Sequence, residues 1–171
     1  MKKSIVFAAS ILIVMGLTRS AADDGTSLKV APKVGALAPP FELETPSGEK
    51  ASLESFRGRP LILNFWATWC PPCRAEMPDL QAFYERNQGR GVVVIGIDQG
   101  EDAKAVNEFL SEFEPRITYP ILLDKDGEVS RKYRLFGLPS SFFIDSDGII
   151  RALWPGFMNA EVIERNAAKI F

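Results

Sequence analysis

From Leu61 to Trp66 every position except Asn64 is apolar, and the run follows a turn-forming segment, Arg57-Gly58-Arg59-Pro60. Side chains of a strand alternate between its two faces, so a run that is apolar at both parities predicts a central strand covered on both sides. Val92 to Ile97 repeats the pattern and predicts a second such strand. Between them the period changes. Met77, Leu80, Phe83 and Tyr84 recur at helical spacing within Pro72 to about Arg86, and Pro78 inside that helix removes a backbone donor and is expected to kink it. Ala103 to Phe113 is a further helix, with Val106, Phe109, Leu110 and Phe113 on one face. Phe41 to Leu43 and Lys50 to Leu53 flank Pro46-Ser47-Gly48 and predict an N-terminal hairpin. Further on come a short strand, Ile121 to Leu123, a turn at Asp126-Gly127 and a short helix, Glu128 to Tyr133. Ser141 to Asp145, entered through Leu138-Pro139, is joined by Asp147-Gly148 to Ile149 to Leu153 as an antiparallel hairpin. A last helix starts near Asn159, a good N-cap, and turns Val162, Ile163, Ala167 and Ile170 toward the sheet. Strands that alternate with helices and then close in a hairpin imply an α/β fold, a mixed central β-sheet sandwiched between helices.

The first 22 residues follow a different pattern. Lys2 and Lys3 precede an uncharged run from Ser4 to Thr18, and the small residues Ser20, Ala21 and Ala22 follow. A basic start, an apolar stretch shorter than the roughly 20 residues that span a bilayer, and a small-residue site read as a signal peptide over 1–22, or as an uncleaved anchor. Residues 23–32 are polar and small and read as a tether. With no internal repeat and no long linker beyond them, 33–171 reads as one domain. Any membrane anchoring is then through the N-terminal segment alone. The whole chain carries a net charge of -2; without 1–22 it keeps 17 basic against 22 acidic residues. That balance lacks the basic footprint a phosphate backbone demands, so no nucleic-acid partner is expected. Histidine is absent, which removes imidazole bases, Ser-His-Asp chemistry and His-ligated metals.

The remaining chemistry is concentrated in Trp69-Cys70-Pro71-Pro72-Cys73, which holds both cysteines of the chain. A Cys-x-x-Cys pair that follows a buried strand and opens a helix gains from the helix N-terminus, whose free N–H groups and partial positive charge favour thiolate over thiol. Cys70 is expected to sit exposed at that terminus, its pKa lowered from about 8.5, poised to attack a disulfide; Cys73, one turn further in, is shielded and resolves the mixed disulfide. Pro71 and Pro72 suit a helix start, where no donor is needed. A disulfide across so short a loop constrains the unfolded chain little, so the pair reads as reactive rather than as a staple. A structural zinc site needs two further ligands that the chain lacks. The peroxide-reducing pattern P-x-x-x-T-x-x-C is absent, since Leu63 and Ala67 occupy its proline and threonine positions. A module that docks a client or holds Cu(I) on two thiolates stays open as an alternative.

Two longer motifs, Asn64-Phe65-Trp66-Ala67-Thr68-Trp69-Cys70-Pro71-Pro72-Cys73-Arg74-Ala75-Glu76-Met77-Pro78 and Gly137-Leu138-Pro139-Ser140-Ser141-Phe142-Phe143-Ile144-Asp145, resemble those of the TlpA/ResA-type exported thioredoxins. The similarity covers Lys33 to Phe171. It implies a thioredoxin-like fold in which Ala103 to Leu123 is an inserted helix-strand unit, and a thiol-disulfide oxidoreductase activity carried by Cys70 and Cys73 without a bound cofactor or metal. By the same resemblance Pro139 is the cis-proline that faces the disulfide, rather than an ordinary turn proline. Leu138 then offers its backbone to a substrate strand, and Trp69 walls the approach or simply packs. Glu76 matches an acidic residue near the thiols. Plain thioredoxins carry a buried aspartate where this chain has Asn64, so Glu76 is the candidate proton relay for Cys73; the alternative is a solvated first-turn carboxylate. The family also implies protein substrates with cysteine thiols or disulfides, such as apocytochrome c haem sites or copper sites. It implies a membrane electron donor that re-reduces the protein, and residence in the periplasm or on the extracytoplasmic face. A DsbA-like thiol oxidant is the same-class alternative, although that type carries a histidine where this chain has Pro71-Pro72.

Overall fold

β3 (Leu61–Trp66) lies inside a seven-stranded sheet and every one of its residues is buried. The computed structural model describes residues 28–171; the signal-peptide segment 1–22 and the first part of the tether lie outside the described residues. The strands are ordered β2-β1-β5-β4-β3-β6-β7, where β1 is Glu42–Glu44, β2 Lys50–Ser52, β4 Val93–Gln99, β5 Ile121–Asp124, β6 Ser140–Ile144 and β7 Ile150–Pro155. β3, β4 and β5 run parallel; β1, β2, β6 and β7 pair antiparallel. The sheet is therefore mixed, and the fold is thioredoxin-like.

The apolar runs divide by parity. Ile62 and Trp66 of β3, with Val94 of β4 and Phe143 of β6, face α1 (Pro71–Asn87) and α4 (Ala160–Ala167), against Met77, Leu80, Phe83, Ile163 and Ala167. Val106 of α2 (Ala103–Glu112) joins this layer, with Phe109 and Leu110 partly buried beside it. Leu61, Leu63 and Phe65 face the other way, with Ile95, Ile97 and Phe142, and are covered by Val129 and Tyr133 on and after α3 (Glu128–Lys132) and by Phe41. Burial on both faces is what permits strands with no polar side. Asn64 shares the parity of Ile62 and Trp66, which puts a buried amide on the α1 side of the sheet.

Expected elements differ from the observed ones mainly at their ends. α1 begins at Pro71 rather than Pro72 and runs on through Pro78 as one element. β4 extends to Gln99 because Asp98 and Gln99 still pair with Leu123 and Asp124, and β7 reaches Pro155 because Trp154 and Pro155 pair with Ser141 and Ser140. Asn159 caps α4, its side chain accepting from the Val162 N–H. Ile163, Ala167 and Ile170 are buried below it. Ahead of Lys33, Ala31 donates to the Leu37 carbonyl and Leu37 to that of Lys29, each at 3.0 Å, so this stretch is tied to the domain.

Candidate active site

β3 ends at Trp66, and one tight turn carries the chain into α1: the Cys70 N–H donates to the Ala67 carbonyl at 3.2 Å. Cys70 is the N-cap of α1, and its Sγ accepts from the Cys73 N–H at 3.3 Å. Pro71 and Pro72 occupy the first two helical positions, where a missing donor costs nothing. Cys70 and Cys73 form a disulfide with their Cα atoms 5.3 Å apart. Helix N-terminus, capping sulfur and resolving-distance partner are thus brought together as the spacing implies.

The expected exposure of Cys70 is corrected. In the disulfide form Cys70 is only 3% exposed and Cys73 is fully buried. A capping sulfur folds back over the first helical turn toward Cys73, and this withdraws it from water. The neighbouring Trp69 takes the exposed place, at 67%.

Leu138–Pro139 is a cis peptide bond. Phe65 of β3 pairs with Ser140, so Pro139 enters the sheet beside the end of β3 from which the Cys70 turn departs. Pro139 is buried, and its carbonyl accepts from the Gly156 N–H at 2.8 Å; Leu138 is half-buried against the layer that contains Cys70 and Cys73.

Glu76 corrects the solvated-carboxylate alternative, for it is fully buried. It lies three residues beyond Cys73 on the inner face of α1. Its Oε1 accepts from Asn64 Nδ2 at 2.6 Å and its Oε2 from the Met158 N–H at 2.8 Å. Burial pushes its pKa up to about 7 against the opposing pull of those two hydrogen bonds. Asn64 Nδ2 also donates to Ser141 Oγ at 3.0 Å, and Asn64 Oδ1 has no partner among the described residues. Sequence reading missed Ser141 and Met158 as parts of this cluster. Parity along β3 signals Asn64, and register opposite it signals Ser141, but nothing local to Met158 announces that its backbone meets Glu76.

A C-x-x-C disulfide capping the helix that leaves β3, with a cis-proline leading into the neighbouring β6 of a mixed sheet covered by helices on both faces, defines a thioredoxin-fold thiol-disulfide oxidoreductase. Residues 34–153 match the AhpC/TSA family. Thiol-disulfide oxidoreductase ResA of Geobacillus kaustophilus is 36% identical over 142 residues, 83% of this chain and 80% of that protein. Among solved structures, a putative thiol:disulfide interchange protein DsbE from Chlorobium tepidum superposes with a TM-score of 0.73 at 27% identity, covering 80% of this chain and 96% of that one. A secreted Mycobacterium tuberculosis disulfide oxidoreductase homologous to E. coli DsbE gives 0.64 at 28% identity, over 76% and 93%. The chain belongs to the AhpC/TSA family, as one of its ResA/DsbE/TlpA-like extracytoplasmic thiol-disulfide oxidoreductases.

Proposed function

We propose that this protein works outside the cytoplasm as a reductant of protein disulfides, with Cys70 as the attacking sulfur, Cys73 as the resolving one and Glu76 as the proton relay. The observation that carries this reading is the hydrogen bond from the Cys73 N–H to Cys70 Sγ at the first turn of α1. In the reduced protein the same donor and the helix N-terminus favour a thiolate on Cys70. That thiolate attacks one sulfur of a client disulfide, and the other client sulfur leaves as a thiol after taking a proton. Cys73 then gives up its proton, attacks Cys70 Sγ and releases the second client sulfur, which leaves Cys70–Cys73 oxidised. A carboxyl held near 7 and buried beyond Cys73 suits the transfer of that proton at neutral pH.

Trp69 supplies an exposed aromatic wall, and Leu138 with Pro139 supplies backbone for an extended client segment. The clients are proteins whose thiols must stay reduced to receive a cofactor, such as apocytochrome c haem sites or copper sites. A membrane protein returns electrons to the oxidised pair. Two supports bear on location: the basic, apolar leader of 1–22 and the secreted state of the Mycobacterium tuberculosis relative. Both favour residence in the periplasm or at the extracytoplasmic face.

Trapping tests the reading. With Cys73→Ser, a disulfide-bearing client should accumulate as a mixed disulfide on Cys70, cleavable by dithiothreitol. Cys70→Ser should trap nothing and lose client reduction. Trapping on Cys73 alone would reverse the assignment.

A further inference from the structure

The turn that delivers Trp69 and Cys70 is short of anchors of its own. It is closed by one backbone hydrogen bond, Cys70 N–H to the Ala67 carbonyl. Pro71 and Pro72 have no N–H to donate, and the Trp69 side chain is mostly in water. Two further donors of the turn, the N–H and the hydroxyl of Thr68, both go to one residue from another loop. The Thr68 N–H donates to Glu101 Oε2 at 2.7 Å, and Thr68 Oγ1 donates to Glu101 Oε1 at 2.6 Å. Two donors on two oxygens of one carboxylate make a paired, charge-assisted clamp.

Glu101 is itself braced. It lies between β4 and α2, and its N–H donates to Asp98 Oδ1 at 3.2 Å. Asp98 is fully buried on β4 and pairs in register with Trp66, the last residue of β3. The end of β4 thus holds Glu101, and Glu101 holds the turn leaving the end of β3. The Asp98 carboxyl is pushed up to about 8, by burial first and by the neighbouring Glu101 carboxyl next, against the opposing pull of the Glu101 N–H. At neutral pH the Asp98 carboxyl therefore keeps its proton. Asp98 Oδ2 has no hydrogen-bond partner among the described residues.

We infer that Glu101 is a positioning residue for the redox pair, fixing the Ala67–Cys70 turn through Thr68 so that Cys70 is held against Cys73. Disulfide closure depends on how closely the two sulfurs are confined, so loosening the turn lowers the closing equilibrium and slows attack by a sulfur that spends less time in place. The inference rests on Cys70–Cys73 being the redox pair, but not on which sulfur attacks.

Glu101→Gln leaves one acceptor oxygen for two donors and turns an NH₂ group toward the other. The expected result is a fall of about tenfold in the closing constant, read as a rise of about 30 mV in the reduction potential, with a matching fall in the rate of reaction with a small aromatic disulfide. Thr68→Val removes only the hydroxyl donor and should move both quantities in the same direction by less. Thr68→Ser keeps that donor and should restore the wild-type values. This second pair carries the test if Glu101→Gln does not fold. An unchanged potential in Glu101→Gln or Thr68→Val, or a Thr68→Ser value displaced as far as that of Thr68→Val, overturns the inference. Failure of the functional reading looks different, because Cys70→Ser would then retain client reduction whatever Glu101 does.

Discussion

Replacing Glu76 by glutamine should remove most of one pH dependence from the stability of the protein, and its size follows from the burial of that carboxyl. The folded-state pKa is raised from 4.5 to about 7. An unfolded chain loses this proton near 4.5 and the folded one keeps it until about 7, so between those values unfolding releases a proton. Stability must then fall as pH rises through the window and level off above it. At 1.36 kcal/mol per pH unit the fall attributable to Glu76 is about 3 kcal/mol. Glutamine suits the site sterically. Its oxygen can accept from the Met158 N–H as Glu76 does, and its NH₂ group faces Asn64, whose Oδ1 lacks a partner among the described residues and can be turned toward it by an amide flip. The assay is urea unfolding of the oxidised protein from pH 4.5 to 8.5, for wild type and Glu76→Gln in parallel. Asp98, raised to about 8, makes both proteins less stable as pH rises and cancels in the difference. The wild-type advantage should shrink by about 3 kcal/mol across the window. Two curves that stay parallel to within about 0.5 kcal/mol would mean that Glu76 ionises as an ordinary carboxyl, and would remove it as a proton relay.

Other substitutions separate access from packing. Trp69→Ala, at a side chain 67% exposed, should change stability by no more than about 0.5 kcal/mol while raising KM for a protein client, measured by client-thiol release. Gly96→Ala should cost about 1–3 kcal/mol in urea unfolding, because its Cβ would lie 2.7 Å from Ile121 Cδ1 and 3.0 Å from Trp66 Nε1 between two packed strands.

What the sequence made legible was whatever a local pattern specifies. Leu61 to Trp66 declares a central strand because both of its parities are apolar, and Cys70 declares a helix start because Pro71 and Pro72 can sit only where donors are dispensable. Asn159 declares a cap because its side chain has an N–H to meet three residues on. The site's electrostatics were less legible because they depend on contacts across the fold. Glu76 reads locally as a solvated carboxylate; it is buried because Asn64, 12 residues before it, and Met158, 82 after it, close over it with donors. Glu101 sits in a run, Gly100-Glu101-Asp102, that reads as a polar loop ending in the N-cap of α2, and only the adjacency of β3 and β4 turns it toward Thr68. The exposure of Cys70 was misjudged for a related reason: a helix N-terminus is open to solvent in isolation, but the capping sulfur here is bonded back onto the turn below it.

The direction of electron flow is the claim on which the proposed function turns, and the reduction potential of Cys70–Cys73 tests it most directly. Equilibration with dithiothreitol buffers at pH 7, followed by alkylation and mass determination of the thiol fraction, gives that value. A reductant should lie toward the thioredoxin end of the scale, at about -270 mV, whereas a value near -120 mV would make the protein an oxidant and contradict the account.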